Sequence, residues 1–162
     1  MATLITLSGP DGPLTHVQVP LGIGVQPQRS FYACPEFMRG VEDDLPKWVT
    51  GKLNAAQTPQ EQMRSILLRW ISGREMVWER HFKDLMPMGT EAWEMKTADL
   101  RLFGWMYRPR VFIASFLGYA DDYKGLKPKR HYSDAVQRVM TSRNSVDLDL
   151  PKFTSGEYDA LV

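Results

Sequence analysis

Residues 92–117 read AWEMKTADLRLFGWMYRPRVFIASFL, and this stretch decides the fold. It is rich in aromatic and β-branched residues, which favour strands, and short breaks divide it, the last of them at Pro109. The pattern predicts three strands, over residues 92–98, 100–106 and 110–117. Because the breaks are short, we expect consecutive strands to pair side by side as an antiparallel meander.

The chain after this meander is predicted to add one more strand and a closing helix. Residues 119–124 continue the strand pattern, which Pro128 interrupts. Residues 132–140 then place apolar side chains at helical spacing, with Ser133 as the predicted N-cap. The tail, residues 151–162, has mixed polarity and is expected on the surface.

Helices are predicted before the meander. From Pro35 onward apolar residues recur at three- and four-residue steps, until Pro46 breaks or kinks the pattern. Residues 58–61, Thr-Pro-Gln-Glu, form a capping box with proline at the first helical position, so a helix is predicted to begin there and to stop at Gly73. Residues 74–85 are predicted to continue helically.

The first 34 residues are predicted to form a β-rich extension. Residues 3–7 and 14–19 alternate weakly, and the Gly-Pro-Asp-Gly-Pro run at 9–13 favours a turn, so the pair is interpreted as a β-hairpin or two short strands. Residues 31–33 are predicted to form one more short strand. The order of hairpin, helices, antiparallel sheet and short helix indicates an α+β fold.

Composition places the chain among folded globular proteins. Its 162 residues are 43% hydrophobic and 24% charged, so residues 1–162 are predicted to form a single domain. No apolar run approaches the roughly 20 residues that a membrane span requires, and the N-terminus lacks a secretory pattern. A single cysteine, Cys34, is expected as a small buried residue. These features predict a cytoplasmic protein with no membrane partner, no metal site and no cofactor.

Positive charge is concentrated in one third of the chain. Residues 96–143 contain ten Lys and Arg against four Asp and no Glu, although the net charge of the whole protein is only +1. Such a segment attracts phosphate groups, so RNA is a predicted partner. The same cations also fit a solvated loop, or ion pairs with Asp99, Asp121 and Asp122.

Residues 35–143 resemble RelE/HigB-type toxins, notably their phage-derived branch. The first matching feature is a helical pair. After it, the matching residues are Glu94-Met95-Lys96, Arg110-Val111-Phe112-Ile113, Tyr123-Lys124-x-x-Lys127-Pro128 and a helix containing Ala135. It implies N-terminal helices packed on a small antiparallel sheet, with residues 1–34 as an extension and residues 144–162 as a tail. It also implies a phage- or prophage-encoded, ribosome-dependent mRNA endonuclease, whose partners are RNA or the ribosome and an antitoxin.

In such an enzyme the ribose 2′-hydroxyl attacks the adjacent phosphate, and basic side chains stabilise the charge that develops. The resemblance and the neighbouring residues predict a catalytic set of Lys96, Arg110, Tyr123, Lys124, Lys127 and His131. Within it, Tyr123 or His131 is the predicted proton-transfer group, because a tyrosine beside several cations has a lowered pKa and histidine titrates near neutrality. The predicted RNA-binding set is Arg101, Arg108, Lys129 and Arg130.

A second class of function stays open, a non-catalytic phage or prophage interaction protein that binds a host protein or nucleic acid. The near-zero net charge favours it, since ribosome-binding toxins are usually strongly basic. Aromatic residues that interleave with the arginines fit either base stacking or burial on one sheet face, and burial is favoured. These residues are Phe103, Trp105, Tyr107 and Tyr119.

Overall fold

The computed structural model describes residues 4–7, 12–51, 53–87 and 89–162, which form an α+β fold with helices packed on a six-stranded sheet. The strands are β1 (Thr15–Val17), β2 (Ser30–Ala33), β3 (Phe82–Asp84), β4 (Trp93–Lys96), β5 (Leu100–Arg108) and β6 (Val111–Tyr119). The helices are α1 (Leu4–Leu7), α2 (Pro35–Arg39), α3 (Pro59–Ile71), α4 (Tyr132–Ser145) and α5 (Tyr158–Leu161). The predicted α+β class is confirmed.

The sheet is open and mixed, with the strand order β1-β2-β6-β5-β4-β3. Every neighbouring pair is antiparallel except β2 and β6, which run parallel. Strands β4, β5 and β6 are the three strands predicted from residues 92–117, so the predicted meander is confirmed. The predicted all-antiparallel sheet is wrong at the β2–β6 pair.

The N-terminal segment is built into the sheet and is not an extension ahead of it. Strand β2 lies between β1 and β6, and Phe31 pairs with Phe112 with both side chains fully buried. The predicted strand at residues 3–7 is wrong for residues 4–7, which form α1, and the hairpin partner of β1 is β2. Most of the predicted turn at 9–13 lies outside the described residues, as does residue 3.

Helices cover both faces of the sheet. On one face α2 and α3 pack over an aromatic core, where the Trp70 indole N–H donates to the Ser30 carbonyl at 3.0 Å. The capping box at the start of α3 is confirmed, because the Thr58 hydroxyl and the Glu61 backbone N–H are 3.3 Å apart and the Glu61 carboxylate accepts from the Thr58 N–H. On the other face α4 packs on β5 and β6. The sheet is therefore the rigid layer on which side chains from both helical layers are placed.

Three further predictions about the elements are wrong. Residues 74–85 do not continue the helix, because Phe82 pairs with Met95 and its ring is fully buried under the helices as part of β3. Residues 120–123 form a 3₁₀ turn in place of a fourth strand, and α4 begins at Tyr132 with His131 at the cap position that Ser133 was expected to hold.

The C-terminal tail is also partly buried, contrary to its expected surface position. Leu161 is 1% exposed, and the Thr154 N–H donates to the Met106 carbonyl at the end of β5. Cys34 is buried as predicted, and burial raises the pKa of its thiol to about 12. Within the described ranges, the longest helices are too short and too polar to cross a bilayer.

Candidate functional site

A cleft of about 820 Å³ opens where segment 53–57, α3, segment 74–81 and the β4–β5 turn meet. We call it the basic cleft, after the charged side chains in its lining, which are Arg69, Arg74, Arg80, Lys96 and Arg101, with His81 and a single carboxylate, Glu79. Much of the remaining lining is apolar. A recess with several cations and low-dielectric walls concentrates a positive potential and attracts anions.

A buried hydrogen-bond network fixes the β4–β5 turn against α3. The Gln62 side-chain N–H donates to a carboxylate oxygen of Asp99 at 2.7 Å, and its carbonyl oxygen accepts from the Asp99 N–H at 2.9 Å. The same carbonyl accepts from the Thr97 hydroxyl at 2.6 Å. Because Lys96 and Arg101 flank this turn, the network also fixes the two cations relative to α3.

We expect Gln62→Leu to lower the free energy of unfolding by about 2 kcal/mol, because it leaves the buried Asp99 carboxylate without one of its donors. Urea unfolding followed by circular dichroism measures the change. The control is Gln60→Leu on the exposed side of the same helix, where one hydrogen bond to the Leu45 carbonyl is lost. Equal losses in the two variants would contradict a special role for the Gln62 network.

The Arg101 guanidinium is held in one orientation. Its Nη1 donates to the carbonyls of Thr97 and Leu100, both at 2.8 Å, and its Nε donates to the Tyr132 hydroxyl at 3.4 Å. Its Nε also lies 3.6 Å from a carboxylate oxygen of Glu94. Arg101 is 7% exposed, so its charge is preorganised at the edge of the cleft and loses little freedom when an anion binds.

Two groups beside Arg101 are suited to proton transfer. Burial lowers the pKa of Lys96, and the nearby cations Lys83 and Arg101 add to this effect while Glu94 opposes it. The Lys96 amine therefore gives up its proton more readily than an ordinary lysine. Burial raises the pKa of Tyr132, with Glu94 adding to the shift, so the Tyr132 hydroxyl keeps its proton and acts as a donor.

His81 adds a neutral imidazole to the cleft. Its Nδ1 accepts from the Val77 backbone N–H at 3.0 Å, which places the proton of the neutral ring on Nε2. Burial lowers the pKa of His81, and the charges of Arg69 and Arg80 lower it further. His81 therefore presents an N–H donor near neutral pH.

The structure brings part of the predicted site together in this cleft. Lys96 and Arg101 line it, and Lys124 lies beside it, where its Nζ donates to the Ala98 carbonyl at 3.1 Å and lies 3.8 Å from Asp121. Lys124 thus braces the β4–β5 turn. Lys127 is exposed on the loop before α4 and does not line the cleft.

A second group of predicted residues lines a separate pocket of about 400 Å³ between that loop and α4. It contains Tyr123, Lys129, Arg130 and His131. Lys129 and Arg130 lie 3.5 and 3.9 Å from the same carboxylate, Asp122, so part of their charge is neutralised. The predicted lowering of the Tyr123 pKa is wrong, because burial raises that pKa and outweighs the nearby arginines.

Arg108 and Arg110 lie at the other end of the sheet. In the β5–β6 pair Arg101 is opposite Gly118 and Arg108 is opposite Val111, a separation of about 23 Å along the strand. Arg110 occupies the hairpin turn with φ +64°, and its N–H donates to the Leu161 carbonyl. Both arginines are therefore too far from Lys96 to contact the same phosphate group.

Most of the aromatic residues that interleave with the arginines lie in the core, which is the alternative that the sequence favours. Phe103 and Trp105 are fully buried and Tyr107 is 7% exposed. Tyr119 is partly exposed, stacks on Trp48 and donates its hydroxyl to the Val49 carbonyl. They are therefore not a surface on which RNA bases stack.

Sequence reasoning missed most of the basic cleft. Arg69, Arg74, Arg80 and His81 received no role, and Tyr132, which contacts Arg101 but does not line the cleft, was noted only as the start of a helix. The available signal was the cluster of basic residues on both sides of Gly73, where α3 ends.

No family model, curated protein or solved structure matches the chain.

Proposed function

We propose that the protein binds single-stranded RNA in the basic cleft and cleaves it, in the manner implied by the resemblance to RelE/HigB-type toxins. The observation that carries this proposal is the composition of the cleft, with five cations and one carboxylate around about 820 Å³. Apolar residues such as Leu53 and Ile66 share the lining with the cations, and this mixture suits a nucleotide, which has an apolar base and an anionic phosphate.

The proposed reaction is attack of the ribose 2′-oxygen on the adjacent phosphorus. A bond forms between the 2′-oxygen and phosphorus, the bond from phosphorus to the 5′-oxygen breaks, and the products carry a 2′,3′-cyclic phosphate and a 5′-hydroxyl. Lys96 accepts the proton of the 2′-hydroxyl, and Tyr132 donates a proton to the departing oxygen. Arg101 stabilises the additional negative charge of the phosphorane.

The remaining cations bind rather than react. Arg69, Arg74 and Arg80 lie in the part of the lining formed by α3 and the segment that follows it, where they contact phosphates on either side of the reacting one. Such contacts supply affinity that depends strongly on salt and carries no sequence information.

We expect the double variant Arg69→Gln, Arg80→Gln to weaken binding of a short single-stranded RNA by at least tenfold at about 0.1 M salt. Removal of two phosphate contacts should also flatten the plot of log affinity against log salt by about 1.4. Fluorescence anisotropy measures both quantities. Arg110→Asn is the matched control, because asparagine removes a charge at the far end of the sheet and tolerates the positive φ of that turn.

The outcome for the control decides where RNA binds. Affinity and salt slope should be unchanged in Arg110→Asn. A loss as large as that of the double variant would show that binding depends on overall charge and would contradict the assignment to the cleft. Wild-type protein with no affinity for RNA even at low salt would remove the proposal.

The alternative is a non-catalytic interaction protein, and the pairing of Lys129 and Arg130 with Asp122 favours it, because the loop before α4 is then less basic than its sequence. Incubation of RNA with the protein, with and without ribosomes, separates the two. We expect one product whose 5′-hydroxyl end is labelled by polynucleotide kinase without phosphatase treatment, and another whose 2′,3′-cyclic phosphate end resists ligation until the ring is opened and the phosphate is removed. RNA that is bound and left intact under both conditions would favour the alternative.

A further inference from the structure

Glu94 is a buried carboxyl group beside the basic cleft that the proposed reaction does not use. It lies on β4 with 0% exposure, opposite Phe103 on β5. One carboxylate oxygen lies 3.6 Å from the Arg101 Nε and the other 3.9 Å from the Lys83 Nζ. Within the described part of the chain, neither oxygen accepts a hydrogen bond.

The charges around Glu94 come from every element packed against it. Lys83 on β3, Lys96 on β4 and Arg101 on β5 are cations, and Tyr132 on α4 is a neutral phenol. Two of these cations line the basic cleft. Glu94 is therefore an anion placed where it neutralises the same charges that a bound phosphate would use.

We propose that the Glu94 carboxylate is an internal counter-ion that competes with substrate phosphate for Arg101, so that the cleft binds phosphodiesters tightly only when Glu94 is neutral. This inference rests on the proposed function, in which the cleft is the phosphate site. A charged Glu94 weakens binding, and a proton on Glu94 removes the competition.

The direction of the pH dependence follows from the surroundings of Glu94. Burial raises its pKa, and this effect outweighs the opposing influence of the three cations. Protonation therefore begins at a less acidic pH than for an exposed glutamate, and affinity for phosphodiesters should rise as the pH falls through this pKa. At an effective dielectric of about 20, repulsion between a carboxylate and a phosphate about 6 to 7 Å apart would change the affinity by roughly 70-fold, and screening at about 0.1 M salt, where the Debye length is about 10 Å, reduces the expected change to about tenfold.

The test uses titration calorimetry with a six-residue oligothymidylate, whose phosphodiesters keep their charge between pH 5 and 8 and which lacks the 2′-hydroxyl needed for cleavage. We expect Glu94→Gln to bind about tenfold more tightly than wild type at pH 8 and to lose most of the pH dependence. Glu157→Gln is the matched control, since it removes one negative charge from an exposed residue at the start of α5, and it should behave as wild type.

His81 also titrates in the cleft, so the series is repeated in a His81→Gln background. Binding of the oligothymidylate should still tighten on acidification in that background, and Glu94→Gln should abolish the remaining dependence. A pH dependence that survives Glu94→Gln, or an affinity that Glu94→Gln lowers, would overturn the inference. If Glu94→Gln does not fold, the test is the pH dependence of oligothymidylate binding by His81→Gln alone. An affinity of that protein that is independent of pH would refute a role for Glu94.

Failure of this inference is distinguishable from failure of the proposed function. RNA that stays uncut while the oligothymidylate shows the expected dependence on Glu94 would refute cleavage and support the counter-ion. If RNA is cut normally while the affinity for oligothymidylate is the same with and without the Glu94 carboxylate, the counter-ion role is refuted and the proposed function stands. An oligothymidylate that binds at no pH would overturn the inference.

Discussion

Replacing Arg101 with glutamine is expected to slow single-turnover cleavage of RNA by about 100-fold or more, a larger effect than the fall of about tenfold expected in the affinity for RNA. The reason is that Arg101 is fixed by the carbonyls of Thr97 and Leu100 and, in the proposed reaction, meets both the charge of the bound phosphate and the additional charge of the transition state. A donor that acts mainly on the transition state lowers the rate more than it lowers binding.

Two further variants sharpen this prediction. Arg101→Lys keeps the charge but loses the planar guanidinium whose Nη1 donates to both carbonyls while its Nε donates to the Tyr132 hydroxyl, so we expect an intermediate rate. Arg108→Gln removes a guanidinium that stacks on Tyr107 at the far end of β5, and cleavage should be unaffected. The measurement is the rate of product formation with enzyme in excess, with circular dichroism to confirm folding. A rate for Arg101→Gln within threefold of wild type would exclude the assigned role.

The parts of the fold that depend on neighbouring residues could be predicted from sequence. Strands β4 to β6 follow each other with short connections, and the capping box at Thr58 is complete within four residues. Strand β2 shows the limit. Its four residues suggest a short strand, but nothing local indicates that they pair in parallel with β6, about 80 residues later. An extension was therefore predicted where the structure has an internal strand.

The site was predictable to the same extent. Lys96 was identified through the resemblance at Glu94-Met95-Lys96, and Arg101 was identified as one of the cations of the basic segment. Arg69 and His81 reach the same cleft through contacts between distant segments, since Gln62 on α3 bonds to Asp99, 37 residues away, and the Lys96 N–H donates to the His81 carbonyl. The charge count also could not show that Arg110 lies at the opposite end of the β5–β6 hairpin. Sequence distance along a basic segment does not tell which cations share a surface.

Gly104 is a position where a single methyl group should disrupt the sheet. It lies in the interior of β5 opposite an irregularity in β6, where Phe103 pairs with Phe116 and Gly104 with Ala114, so Ser115 is left without a partner. A Cβ at Gly104 would lie 2.1 Å from the Ile113 carbonyl oxygen. A glycine in the interior of a strand often marks such a bulge or a close backbone approach.

We expect Gly104→Ala to lower the free energy of unfolding by at least about 3 kcal/mol, because the clash is with backbone and no side-chain rotation relieves it. Urea denaturation measures the loss. Gly22→Ala is the control, since its Cβ would meet only a Val25 methyl at 3.7 Å, and its stability should change by less than about 0.5 kcal/mol. Equal stability of Gly104→Ala and wild type would contradict the close approach of β5 and β6.

Gly104→Ala should also alter the proposed catalytic groups, through a shift of α4. The bulge directs Ser115 toward that helix, where its hydroxyl and the Ser142 hydroxyl are 2.6 Å apart, and Phe116 packs beneath Arg138 at 3.6 Å. Displacing β6 therefore shifts α4 and with it Tyr132, the hydroxyl that touches Arg101. In any Gly104→Ala protein that still folds, cleavage should fall more than RNA affinity, because the phosphate contacts from α3 do not depend on α4. A fall in affinity with an unchanged rate would contradict this connection between the bulge and the proposed catalytic groups.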